Sequence, residues 1–159
     1  MIKSFRELEV WQKAHALVLD VYRVTTEFPE RERFGITSQL RRAAASVPAN
    51  IAEGFGRRGT GELLQFLAIS NGSLEETRYF LMLSSDLRFL PAEEFRRLEQ
   101  NCSSVGQMLG ALTRSLRNRN DRGAHGVTER GPQVTSGRST GENPKCLEWS
   151  ELTWGPRSA

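Results

Sequence analysis

The chain has 159 residues, 38% of them hydrophobic and 26% charged, with a formal net charge of +3. That size and balance fit one domain with an appendage rather than two domains, and the absence of any run of eighteen apolar residues argues against a bilayer span. The start of the chain, Met1 to Glu7, lacks the apolar core of a secretory signal, so a cytoplasmic address is expected.

Residues 1–117 read as helices almost throughout. Leu8, Trp11, His15, Val18, Tyr22 and Thr25 recur at steps of three and four, and Ala14, Leu17, Val21 and Phe28 widen that stripe into a first helix. Pro29 ends it, because proline lacks the amide that would continue the ladder and disfavours helical geometry at Phe28. Glu30-Arg31-Glu32-Arg33 then reads as a solvated turn.

A second helix is expected from about Thr37 to Phe55, turning Leu40, Ala44, Val47 and Ile51 inward. Pro48 lies in its middle, removes one backbone hydrogen bond, and predicts a kink. Thr60 is suited to cap a third helix, on which Leu63, Leu67, Ser70, Leu74, Thr77, Leu81 and Ser84 alternate strictly by four and three. A second seam, Phe66, Ile69, Ser73, Phe80, Leu83 and Leu87, runs beside the first and predicts contacts beyond one partner helix. Pro91 fits the first position of a fourth helix, with Glu93 and Glu94 at the positive end of its dipole. Phe95, Leu98, Cys102, Val105, Leu109, Leu112 and Leu116 continue as one seam. Four helices with short connections give an all-α fold, an antiparallel up-down-up-down bundle over residues 1–117.

Residues 118–159 are rich in Gly, Ser, Thr and Pro and are expected to be a disordered or weakly structured tail, with Leu147, Trp149, Leu152 and Trp154 as its more apolar part. The bundle carries 16 Lys/Arg against 14 Asp/Glu, so the tail does not hold the basic excess. Cys102 and Cys146 lie in neither a metal spacing nor a disulfide framework and are expected as free thiols, Cys102 in the core.

Few residues suggest chemistry. Arg42, Ser46, Asn50 and Glu53 follow one another by four, four and three, forming a polar stripe beside the apolar one. Such a stripe serves either as a hydrogen-bonded seam that fixes helix register or as a ligand or subunit contact. Gly54-Phe55-Gly56-Arg57-Arg58-Gly59 satisfies G-x-G-x-x-G literally, but a helix rather than a strand precedes it, so a dinucleotide site is not expected. Phosphate contact by Arg57 and Arg58, next to the free amides of the third helix, fits the residues better. His15 on the first helix and His125 beyond residue 117 form no metal pair, and no nucleophilic triad or P-loop can be assembled. Neither enzymatic activity, a metal nor a cofactor is expected.

The blocks Phe5-Arg6-Glu7-Leu8-Glu9-Val10-Trp11-Gln12-Lys13-Ala14, Phe34 to Ala43, Ser46-Val47-Pro48-Ala49-Asn50-Ile51-Ala52-Glu53-Gly54 and Phe66 to Glu76 occur in order. Together they resemble the bacterial four-helix bundle family named for the 23S ribosomal RNA intervening sequence, over residues 5 to about 117. The resemblance implies a ring-shaped homopentamer. A related branch serves as accessory proteins of diversity-generating retroelements, binding RNA and a reverse transcriptase. Members are encoded within insertions in ribosomal RNA genes, which directs attention to nucleic acid. The expected function is a non-catalytic homo-oligomeric bundle binding RNA or DNA through Arg41, Arg57 and Arg58. The alternative is a protein-interaction scaffold or accessory subunit.

Overall fold

In the computed structural model, which describes residues 3–57 and 59–125 and side chains through Asn120, four helices carry the chain: α1 (Glu9–Val24), α2 (Ile36–Gly56), α3 (Thr60–Asp86) and α4 (Ala92–His125). Short 3-10 turns at Phe5–Glu7, Thr25–Glu27 and Glu30–Glu32 flank α1. No strand occurs among the described residues. The expectation of an unstructured tail falls, from residue 126 onward, outside the described residues. Helix α4 itself runs past residue 117 to His125.

Contacts between helices fix an antiparallel order. Arg97 near the start of α4 reaches Asp20 near the end of α1, and Arg41 early in α2 reaches Thr25 just after α1. Ser46 of α2 meets Ser73 of α3, while Leu67 of α3 and Leu109 of α4 line one cavity. Each helix therefore packs on the two beside it, α1 on α2 and α4, α3 on α2 and α4. The up-down-up-down bundle expected from the seams is the observed fold.

The core is the one the spacing predicts on three helices. Leu40, Ala44, Val47 and Ile51 of α2, Leu67, Leu74 and Leu81 of α3, and Leu98, Cys102, Val105 and Leu109 of α4 are all buried. Each buried leucine contributes on the order of 1.5–3 kcal/mol of hydrophobic stabilisation. On α1 the buried line is instead Val10, Ala14, Leu17, Val21 and Val24, the widening positions and their continuation. Trp11 and Val18 pack at the edge of the core, whereas His15 and Tyr22 are exposed. His15 stacks on Trp11 at 5.1 Å between ring centroids, so its place is on the outside of that stripe rather than in it.

Two helix starts differ by one residue from expectation. Gly59, not Thr60, occupies the cap of α3 with no side-chain cap bond, and Thr60 is its first helical residue. Helix α4 begins at Ala92, and the Pro91 carbonyl accepts the first helical bond, from Phe95, at 2.9 Å. A proline just outside the helix gives up no bond, so either placement suits it. Helix α2 continues through Pro48, which is buried among its alanines.

Candidate nucleic-acid interface

The run from Ser46 to Gly54 is a helix-packing surface. Ser46 Oγ and Ser73 Oγ lie 2.8 Å apart across α2 and α3, and the buried Ser70 hydroxyl donates to the Val47 carbonyl at 2.9 Å. Small side chains bring the two backbones close enough for these bonds, which orient the helices as well as attract them. Asn50 donates from Nδ2 to the Ser46 carbonyl and hydroxyl at 2.8 and 2.9 Å. The remaining members of the stripe turn away: Arg42 donates to Gln39 at 2.7 Å, and Glu53 pairs with Arg57 at 2.5 Å. Arg42, Asn50 and Glu53 thus have three separate partners and do not converge on one pocket.

The glycine-rich run is mostly helix. Gly54 and Gly56 complete α2, and only Arg57 to Gly59 connect it to α3. Gly54 is required by packing, since a Cβ there would stand 2.7 Å from Phe66 Cβ. Arg57 lies across the Phe66 ring at 5.1 Å while its Nη2 pairs with Glu53, and its side chain is about half exposed. Arg58 lies outside the described residues. Glu62 in the first turn of α3 approaches Gly59, so a carboxylate already stands near those amides.

Arg41 belongs elsewhere. Sixteen residues separate it from Arg57 on one helix, a rise of about 24 Å. Its Nε donates to Thr25 Oγ1 at 2.7 Å and its guanidinium stacks on Tyr22 at 4.7 Å. The three arginines expected to gather on one face therefore do not: Arg41 sits at the opposite end of α2 from the Arg57 connection.

What the fold does gather is a basic end. The antiparallel order brings residues 3–13, the α2–α3 connection and the far part of α4 to one end of the bundle. Among described residues that end carries Lys3, Arg6, Lys13, Arg57, Arg114, Arg117 and Arg119 against Glu7, Glu9, Glu53 and Glu62. Residues 14–52 and 63–113 carry nine Lys/Arg and ten Asp/Glu. The basic excess of the bundle is thus entirely at one end. Arg114 and Arg117 line a cavity of about 320 Å³ between α3 and α4, with Asn71 and Leu64, and have no carboxylate partner among the described residues. Sequence reasoning overlooked them because they fall on the polar side of a long helix with nothing local to mark them.

At the other end several charges are paired with one another. Arg97 donates to Asp20 and Glu94, each at 2.9 Å, and Arg23 donates to Glu94 at 3.2 Å. These bonds, that from Arg97 first, hold the Glu94 carboxyl below its usual range. Burial pushes the Cys102 thiol up to about 12. No three metal-ligating side chains converge among the described residues, and no helix there is long and apolar enough to cross a membrane.

Comparison with known proteins places this geometry. The family model of the 23S rRNA-intervening sequence protein matches residues 6–111. A crystal structure of a protein of unknown function from the S23 ribosomal protein family, from Bacteroides thetaiotaomicron, superposes with a TM-score of 0.62. It is 18% identical, and the match covers 66% of this chain and 95% of that one. No curated protein matches the chain.

Proposed function

We propose that this chain, which belongs to the family of 23S rRNA-intervening sequence proteins, is a non-catalytic homo-oligomeric bundle that binds structured nucleic acid, RNA foremost, through its basic end. The observation that carries the reading is the segregation of charge to that end. Phosphates attract clustered Lys/Arg and release condensed counterions on contact, a gain that needs no pocket and no reacting group. Arg57, Arg58, Arg114 and Arg117 are the residues assigned to phosphate contact. Arg41, about 24 Å away along α2, is not among them.

Assembly strengthens the field. Leu19 and Tyr22 on α1, and Ile69, Tyr79 and Met82 on α3 with Leu87 directly after it, are exposed apolar side chains on two sides of the chain's helical order. When one patch meets the other on the next copy, the contact is heterologous and closes into a ring, the pentamer that the family resemblance implies. Each copy then adds its own basic end. The same side chains support a second reading, a protein-interaction scaffold such as an accessory subunit of a reverse transcriptase.

Fluorescence anisotropy of a labelled structured RNA, titrated with full-length protein across salt concentrations, tests the proposal. Binding with a steep log-log salt slope is expected. Replacing Arg57 and Arg58 together by Ala lowers the slope by roughly 1.8 if each neutralises one phosphate. An unchanged slope overturns the assignment of these arginines, and no binding at low salt moves the reading to the scaffold. Sedimentation of the same preparation measures the oligomer directly.

A further inference from the structure

The end of α2 remote from the basic cluster holds an arginine whose arrangement the nucleic-acid reading does not use. Arg41 is half-buried, fixed by its bond to Thr25 and its stacking on Tyr22, and without a carboxylate partner among the described residues. Withdrawing a guanidinium from water costs free energy that an opposite charge ordinarily offsets. A second observation lies in the same cavity. Thr37, only 6% exposed, lines it, and the Thr37 hydroxyl finds no hydrogen-bond partner among the described residues. Buried hydroxyls are nearly always bonded, so an orphan one marks a place where a polar group is missing.

The cavity measures about 190 Å³, and Arg33 and Glu30 also line it. It is smaller than the roughly 300–1,000 Å³ typical of pockets for drug-sized ligands, and suits a single tetrahedral anion. The charges facing it sum in favour of an anion, since Arg33 is paired with Glu30 at 3.2 Å and Arg41 remains over. The α2 N-terminus is not the source of the attraction. Its first amide, on Ile36, already donates to the Glu32 carboxylate at 3.4 Å.

We propose that Arg41 and Thr37 form a binding site for a phosphate-sized anion, inorganic phosphate or the phosphate of a small monoester, separate from the basic end. The guanidinium supplies its free Nη donors in a planar fork suited to two phosphate oxygens. Rotation of the Thr37 side chain brings its buried hydroxyl to the anion as a further donor. Anion binding there ties the 3-10 turns after α1 to the first turns of α2.

Calorimetric titration of the full-length protein with inorganic phosphate, at ionic strength matched by chloride, is the test. Saturable binding is expected, weakened at least tenfold by Arg41→Gln. Thr37→Val gives the sharper reading. It preserves shape and removes an unsatisfied hydroxyl, so the variant is expected to melt no lower than the parent without phosphate, yet to bind phosphate several-fold more weakly. Should Arg41→Gln fail to fold, Arg41→Lys keeps the charge and is read in its place, again with weaker binding expected because the fork is lost. Glycerol 3-phosphate separates the two sources: affinity equal to that of inorganic phosphate assigns a monoester, and binding of inorganic phosphate alone assigns the free ion. No saturable binding of either, or binding indifferent to the substitutions at both Arg41 and Thr37, overturns the proposal.

Discussion

Gly54 of α2 faces Phe66 of α3 with no room for a side chain: a Cβ on the glycine would stand 2.7 Å from the phenylalanine Cβ and 3.1 Å from Leu63 Cδ1. Alanine in a helix ordinarily gains up to about 1 kcal/mol over glycine. Here Gly54→Ala is expected to lose about 1–3 kcal/mol, the usual cost of overpacking, and to lower the melting temperature. Because the obstacle is itself a Cβ, shortening Phe66 to Ala brings no relief. A Gly54→Ala, Phe66→Ala double variant that recovered the stability lost by Gly54→Ala would refute this account.

Arg88 closes α3 with a φ of 61°. The Phe89 amide donates to the Ser84 carbonyl and the Arg88 amide to the Ser85 carbonyl, both at 2.9 Å, the paired bonds of a Schellman ending. An L-residue pays roughly 1–2 kcal/mol for this left-handed conformation, which glycine adopts freely. Arg88 is exposed and makes no ion pair among the described residues. Arg88→Gly is therefore expected to raise stability by about 1 kcal/mol, part of the strain relief being offset by the freer unfolded chain. Denaturant melts of the two proteins measure it.

Cys102 is fully buried, and that burial pushes its thiol up to about 12. The thiolate is the reactive form, so at pH 8 its population falls about a thousandfold below that of an ordinary thiol. In a Cys146→Ser variant, which leaves Cys102 as the sole cysteine, alkylation is expected to be very slow in buffer and rapid in denaturant. Mass spectrometry after timed quenching checks both rates.

Acid should loosen the join between α1 and α4. Glu94 is held below its usual carboxylate range chiefly by the Arg97 hydrogen bond. A depressed folded value means that the unfolded chain binds the proton more readily. The contribution is present in full above the unfolded value, about 4.3, and is lost as pH falls through the folded one. The difference in melting temperature between wild type and Glu94→Gln is expected to stay constant from pH 8 to 6 and to shrink towards zero as pH falls below the unfolded value. A difference that persisted undiminished at acid pH would show that the carboxylate charge is not what Arg97 and Arg23 use.

The sequence was most informative where physics is local. Periodic leucines fix helical phase within a few turns, although α1 ends at Val24, ahead of the Pro29 expected to stop it, and Pro48 stands inside α2. The four helices and three of their buried faces were therefore legible. Helix α1 was harder to read, because an apolar arc wide enough to include Trp11, His15 and Tyr22 does not state where on that arc the neighbours will sit. Packing chose the side carrying Ala14, whose small size admits close approach.

The candidate site was legible only as residue types. Arg57 stood out beside glycines, but the purpose of Gly54, the distance of Arg41 and the relevance of Arg114 and Arg117 depend on partners remote in sequence. The sequence by itself determined four amphipathic helices and a small positive charge. Only the tertiary structure decided where that charge lies, because antiparallel packing carries residues 3–13, the Arg57 connection and the last turns of α4 to one end, and leaves Arg41 at the other.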